Sequence, residues 1–368
     1  MAEVDLGALR KNVDLLAAEL GPSVGIMAVV KADAYGHGAV ACARAIERKV
    51  WGFAVSLVEE GVELRRAGVA APIVVLGSCY GLSHRDVVAY RLTPVVTEPS
   101  DLVRFARAVE DLGHAGKLGL HLKIDSGMSR LGVRPEMLAP FLEELARFPS
   151  LELTGLCTHL ADADAGDPEV SRRQLANLES ARTRLHQAGF HPTVTHVANS
   201  AGTVRFVDAR ADLVRPGLAL YGYSPGPRAA WVGLSPVLSL RSRVVSLRQI
   251  PTGTAVSYGG MFVAARPTMV ATVPIGYADG YSRRMSGQAQ VLVGGRRCPV
   301  LGAITMDMCM VDVTDTTCKL GDDVVLIGAQ GQARISVDEL ATWAGTIVWE
   351  ICCGVSKRVP RAYLGELT

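Results

Sequence analysis

Ala28-Val29-Val30-Lys31-Ala32-Asp33-Ala34-Tyr35-Gly36-His37-Gly38 runs from an apolar stretch into a lysine and then into a tyrosine, two glycines and a histidine. Gly25 to Val30 reads as a buried strand, with Lys31 as the last strand residue. A desolvated amine in that position has a depressed pKa and can condense with an aldehyde. An ordinary lysine snorkelling to water fits the same local pattern, so the rest of the chain has to decide.

Working outward, eight apolar, β-branched runs fall between Gly25 and Gly217, each separated from the next by enough residues for a crossover. They are Ile26 to Lys31, Trp51 to Ser56, Pro72 to Gly77, Leu92 to Thr97, Leu118 to Asp125, Leu153 to His159, Val194 to Asn199, and Asp212 to Gly217. Ser100 is placed to cap a helix over Asp101 to Leu112, Ser171 to Ala188 carries apolar residues at helical spacing, and Asp5 is placed to cap Leu6 to Leu20. Eight strands alternating with helices predict an α/β fold, a (β/α)8 TIM-like barrel. After about Tyr223 short β-rich runs such as Val237 to Ile250, Met269 to Ile275, Ala289 to Val293, Met308 to Val313 and Val324 to Ile327 are joined by Gly, Pro and Asp turns without helices. That texture predicts a mostly antiparallel β domain. Ser224-Pro225-Gly226-Pro227 marks the boundary, giving a barrel over 1–223 and a β domain over 224–368, with the first few residues able to pack with the latter.

The 368 residues carry 38 basic and 36 acidic side chains, a net charge of +2, with no long basic run. Neither nucleic acid nor a membrane surface is indicated as a partner. Leu20 to Val30 contains Gly and Pro, is too short to span a bilayer, and follows no basic leader. The eight cysteines include no CxxC pair and the histidines no HExxH motif, which points to a reducing cytoplasm and no metal site.

A barrel core is aliphatic, so the polar residues that close these strands stand out: Lys31 on the first, Lys123 and Asp125 on the fifth, His159 on the sixth, Asn199 on the seventh and Arg215 on the eighth. Catalytic groups of such barrels sit at the C-terminal mouth, where these residues would converge. Ser200-Ala201-Gly202 and Pro216-Gly217-Leu218 follow the last two strands. Loops at that position supply backbone N–H groups and a hydroxyl to a phosphate. A phosphorylated aldehyde facing a lysine amine points to pyridoxal 5'-phosphate.

Over nearly its whole length the chain resembles the alanine racemases. The matches, in order, are AVVKADAYGHG at 28–38, HLKIDSGMSRLG at 121–132, THLADAD at 158–164, HVANS at 196–200, RPGLALYG at 215–222, VSYG at 256–259, PIGYADGY at 274–281, MDM at 306–308 and KRVPR at 357–361. The resemblance implies a pyridoxal phosphate enzyme of fold type III, a barrel plus a β domain, working as a head-to-tail homodimer on a small amino acid in the cytoplasm and supplying D-alanine for peptidoglycan. By the same resemblance Lys31 holds the cofactor as an internal aldimine and is one base, and Tyr258 of the second subunit is the other, on the opposite cofactor face. Tyr35, Ser200, Gly217 and Leu218 match phosphate contacts. Arg215 faces the pyridine nitrogen with His159 and His196 around it, and Asn199 falls among the cofactor-binding residues. An arginine there stays charged and only donates, so the ring is a weaker electron sink than a pyridinium. Arg130 matches a residue on the cofactor ring oxygen and the substrate carboxylate, Met306, as a backbone donor from the second subunit, and Asp307 match residues that orient substrate, and Tyr277 and Asp164 match positions of a narrow access channel. Lys123 matches a lysine that many members carbamylate.

One departure stands out in Ile347-Val348-Trp349-Glu350, where the family usually has Tyr before Glu. Trp349 offers a single indole donor and a bulkier ring in place of a phosphate-binding hydroxyl. A racemase of serine or of broader specificity therefore stays open beside an alanine enzyme. A non-catalytic pyridoxal phosphate carrier lacks the β domain and VSYG, both present here. A decarboxylase of this fold type would put an acid where Arg215 stands.

Overall fold

The computed structural model describes residues 1–79, 81, 83–164 and 167–365, the side chain of Pro227 excepted. The described residues divide into two compact units, one from Ala8–Ala34 and Ala39–Ser235, the other from Met1–Gly7, Tyr35–Gly38 and 236–365.

Strand β1 (Ala2–Asp5) leads into helix α1 (Leu6–Leu20). Leu6, Leu9, Val13, Leu16 and Leu20 recur at the three- and four-residue spacing of one helix face, and all are buried. The larger unit is then built on eight parallel strands: β2 (Gly25–Val29), β3 (Gly52–Val55), β4 (Ile73–Val75), β5 (Thr93–Val96), β6 (Leu118–Lys123), β7 (Leu151–Cys157), β8 (Val194–Asn199) and β9 (Leu213–Arg215). They form a closed barrel, with Gly25 opposite Leu213 and Ile26 opposite Val214 completing the ring. The (β/α)8 architecture expected from the alternating runs is thus present. The connections carry a turn α2 (Lys31–Gly36) and helices α3 (Ala39–Ile46), α4 (Val58–Arg66), α5 (Ser83–Ala89), α6 (Pro99–Asp111), α7 (Leu138–Leu145), α8 (Glu169–Gln187) and α9 (Ser200–Arg205).

Several ends differ from expectation. Strand β2 stops at Val29, so Lys31 does not close a strand but opens α2. Strand β7 stops at Cys157, which leaves His159 in the loop beyond it. Helix α6 begins at Pro99 with Glu98 as its cap residue, so Ser100 lies inside it. Proline suits the first helical position because its missing N–H would have no partner there.

In the second unit a sheet runs in the order β11-β14-β17-β16-β15-β18-β10-β1-β20, with β19 paired to β18. Its members after β1 are β10 (Leu238–Arg243), β11 (Ser246–Ile250), β14 (Thr268–Val273), β15 (Gln290–Val293), β16 (Arg296–Leu301), β17 (Cys309–Asp312), β18 (Asp323–Gln330), β19 (Ala333–Ile335) and β20 (Arg361–Leu364). A separate two-stranded ribbon joins β12 (Ala255–Val256) to β13 (Phe262–Val263). Nearly all pairings are antiparallel; β1 lies antiparallel to β10 and parallel to β20. The expectation of no helices in this part is corrected by α10 (Val337–Ala344) and α11 (Val348–Gly354). A capping box starts the first of them: Ser336 Oγ accepts from Glu339 N–H at 3.2 Å and Glu339 Oε2 accepts from Ser336 N–H at 2.9 Å.

Candidate active site

At the head of the barrel's first connection, Ala32, Asp33, Ala34 and Tyr35 have φ of 52, 54, 55 and 51°. Four consecutive L-residues in left-handed geometry cost about 4–8 kcal/mol at the usual penalty per residue. Local hydrogen bonds offset that cost. Ala34 N–H donates to Val30 O at 2.9 Å, Ala39 N–H to Asp33 Oδ1 at 2.8 Å, and Ala32 N–H to Glu60 Oε1 at 2.6 Å. Lys31 therefore projects from a specified turn rather than from the tip of a strand.

On the strand next to β2, Arg215 is 5% exposed at the end of β9. Its Nη1 donates to His196 O at 2.6 Å and contacts His196 Nδ1 at 2.7 Å. Its Nη2 donates to Thr158 O at 2.7 Å and Val197 O at 2.9 Å, and lies 3.3 Å from His159 Nδ1. All five contacts are made by the terminal nitrogens, and every acceptor is neutral.

A guanidinium only donates, so His196 must accept at Nδ1 and carry its proton on Nε2. That N–H points at His121 Nδ1, 2.9 Å away. The hydrogen bonds thus run one way, from Arg215 through His196 to His121. Burial, and then the Arg215 charge, pushes the His121 imidazole down to about 4 and His159 to about 3, and holds His196 well below its ordinary value. Gly155 makes room for the last ring, since a Cβ there would stand 2.3 Å from His121 Cδ2.

Lys123, next but one to His121 on β6 and so on the same face, is 8% exposed. Burial pulls its ammonium pKa down, and the charges of Arg130 and Arg215 add to the pull. The positive charges of Arg215, Arg130, Lys123 and Lys31 all bear on His159. None of the ion pairs among the described residues includes Lys123, Arg130 or Arg215. Asp125 is otherwise engaged: its Oδ1 accepts from the N–H groups of Gly127, Met128 and Ser129 and shapes that loop.

The loops after β8 and β9 meet at Ser200, whose Oγ accepts from Gly217 N–H at 3.0 Å and Ala219 N–H at 3.3 Å. Leu218 is buried beside them. Asn199 serves locally as the cap of α9, accepting from Gly202 N–H at 2.9 Å. Asp164 lies exposed in the loop beyond His159.

In the second unit burial raises the Tyr35 phenol well above its ordinary value, which keeps it a hydrogen-bond donor at neutral pH. Tyr258 is 69% exposed on a single 3-10 turn. Ser257 before it has φ 66° and is held by its Oγ donating to Ala303 O at 2.7 Å. The Tyr277 and Met306 loops are zipped together, Tyr277 N–H to Thr305 O and Ala278 N–H to Met306 O, both 3.0 Å. Asp307 is gripped by Arg358 Nη2 at 2.7 Å. Trp349 is half-buried on α11.

Three residues that position this site were not singled out from the sequence. His121 opens the very motif that contains Lys123, and the two-residue strand period was its signal. Glu60 looks like one more charge on α4. Gln174, buried on α8, accepts from Ala161 N–H at 2.8 Å and donates to His159 O at 2.9 Å, and so pins the His159 loop.

Comparison with known proteins agrees with this geometry. Residues 4–225 match the family described as alanine racemase, N-terminal domain, and residues 237–363 its C-terminal domain. The alanine racemase of Sorangium cellulosum is 44% identical over 98% of this chain and 98% of its own, and that of Symbiobacterium thermophilum 45% identical over 99% and 97%. Among solved structures, alanine racemase from a D-cycloserine-producing Streptomyces lavendulae superposes with a TM-score of 0.94 at 35% identity, covering 99% of this chain and 97% of its own. The Bacillus anthracis enzyme with bound L-Ala-P does so with a TM-score of 0.92 at 36% identity, covering 100% and 95%. The chain therefore belongs to the alanine racemase family, enzymes that interconvert L- and D-alanine.

Proposed function

We propose that this racemase works with pyridoxal 5'-phosphate, with Lys31 and Tyr258 as its two bases. The observation that carries the reading is the convergence of the charges of Lys31, Lys123, Arg130 and Arg215 on His159, two of them, Lys123 and Arg215, being buried and in none of the ion pairs among the described residues. Uncompensated buried cations are costly and are offset by an anionic ligand. A phosphate dianion with an aldehyde, joined by an amino acid carboxylate, has that charge and chemistry. Ser200 Oγ, Tyr35 and the Gly217 and Leu218 N–H groups are the donors for the phosphate, with Asn199 holding the α9 turn that presents Ser200.

When bound, the cofactor supplies an aldehyde for the amine and a conjugated ring that accepts the electron pair released at Cα. Lys31 anchors it and moves the Cα proton on one face. Tyr258 moves the proton on the other, because inversion needs an acceptor on each side of a planar carbon. Arg215, its Nη atoms already committed to the protein, has Nε–H left to donate to the ring nitrogen. His196 and His159, kept neutral, hold that guanidinium in place. Arg130, the Met306 backbone of the second subunit and Asp307 orient the substrate, Asp307 being steadied by Arg358. Tyr277 and Asp164 line its access.

Tyr258 acts on the site of a second subunit in a homodimer. Its 69% exposure, with Met261 at 63% and Val263 at 54%, supports a surface made to be covered by another chain. Lys123 is carbamylated, which turns a buried cation into a carboxylate able to hold Arg130; mass spectrometry of native protein showing the unmodified lysine would sink that assignment. In a bacterial cytoplasm the product D-alanine feeds peptidoglycan.

The test is incubation of purified holoenzyme with L-alanine, and in parallel L-serine, in heavy water. D-alanine bearing deuterium at Cα is expected. Absence of D-product from protein that carries the cofactor on Lys31 overturns the reading, and preference for L-serine shifts it to the serine racemase that Trp349 leaves open.

A further inference from the structure

The Lys31 turn is tied to the next barrel connection by a single carboxylate. Glu60 is the third residue of α4. Its Oε2 accepts from Ser56 N–H at 2.8 Å and Leu57 N–H at 3.0 Å, and its Oε1 accepts from Ala32 N–H at 2.6 Å. The two former bonds cap a helix start, where a negative charge is favoured in any case. The third has no part in capping. It fastens the first left-handed residue of the turn, the one directly after Lys31.

We infer that Glu60 is a positioning residue for Lys31: bridging the start of α4 and the Ala32 amide, it fixes the face from which the lysine amine addresses the reacting carbon. This rests on the assignment of Lys31 as anchor and base. Three donors converge on two oxygens, so the site needs an acceptor on both sides. Glutamine has one oxygen. Turned to Ser56 and Leu57 it aims its NH2 at the Ala32 N–H, and turned the other way it uncaps the helix. Aspartate keeps the charge but loses a methylene of reach, about 1.5 Å, and cannot span the two sites. Left-handed residues need such over-determination, because the turn otherwise relaxes to ordinary geometry and takes the Lys31 backbone with it.

Glu60→Gln and Glu60→Asp, prepared as holoenzymes with pyridoxal 5'-phosphate, test this. The readouts are melting temperature, kcat and KM, the pH midpoint of the lysine-bound cofactor's visible absorbance, and the isotope effect with Cα-deuterated D-alanine and L-alanine separately. A misplaced base lowers kcat about ten- to a hundredfold, while KM stays within about twofold. Because only the Lys31 face is loosened, the isotope effect should rise with D-alanine more than with L-alanine, and the absorbance midpoint should move. Both variants showing wild-type isotope effects and midpoint, with any rate loss tracking melting temperature, would reduce Glu60 to a helix cap and overturn the inference. Should Glu60→Gln not fold, Glu60→Asp decides alone. Failure of borohydride to label Lys31 in the wild-type holoenzyme would instead refute the role of Lys31 itself.

Discussion

Lowering the pH from 7.5 to 5 should destabilise this protein far more than its ordinary carboxylates would. His121 and His159 stay neutral in the fold down to about 4 and about 3, whereas in the unfolded chain each takes a proton near pH 6.5. Above that value both states leave the rings neutral and the linkage vanishes. Below it the unfolded chain binds more protons, so stability falls with pH until the folded rings titrate too. At pH 5 each ring costs about 2 kcal/mol, ~4 kcal/mol for the two, and His196, also held low by burial and Arg215, adds in the same direction. That is a large part of the 5–15 kcal/mol typical of a domain, roughly speaking. Urea unfolding of holoenzyme at fixed cofactor concentration, at pH 7.5, 6 and 5, measures it. In the His159→Asn variant the drop should shrink by about 2 kcal/mol. A wild-type loss below about 1 kcal/mol over this window would show that these rings are not held neutral, and with it the one-way chain from Arg215 to His121 would fail.

Gly155→Ala should displace the His121 ring, a Cβ lying 2.3 Å from its Cδ2, and lower stability by about 1–3 kcal/mol; stability within about 0.5 kcal/mol of wild type would mean the ring has room to move. Mixing Lys31→Ala with Tyr258→Ala protein should restore activity, up to roughly a quarter of wild type, because each hybrid dimer then holds one site with both bases. No recovery after verified subunit exchange would place both bases in one chain. Tyr258→Ala alone should slow Cα-proton loss from L-alanine far more than from D-alanine, and equal losses would reverse the assignment of faces. Trp349→Tyr should change cofactor affinity or the serine-to-alanine ratio severalfold, with unchanged values leaving Trp349 without a role in either.

The eight apolar runs, each separated from the next by enough residues for a crossover, were enough to predict the barrel, since a strand buried on both faces reads as a continuous apolar run. The polar residues that close those runs placed Lys123 and Arg215 at the mouth. Ser336-Val337-Asp338-Glu339 carried a capping signal for α10 in plain view, yet the β-rich texture around it hid the helix. Trp349 is legible as a departure from the sequence alone, because a motif exposes the residue that breaks it.

What the sequence determined by itself is therefore the barrel's eight strands, their order, the β-rich texture that follows them and the chemical types gathered at the barrel mouth, all of which depend on neighbours along the chain. What only the tertiary structure decided is which groups act on one another. The left-handed turn after Lys31 has no local signature, since Ala32, Asp33 and Ala34 favour right-handed geometry, and its first residue is fastened by Glu60, 28 residues away from Ala32. The neutrality of His121 and His196, 75 residues apart, likewise exists only once burial removes their water and Arg215 is set against them. Hydrogen-bond direction and desolvation are properties of positions in space, and the fold alone assigns them.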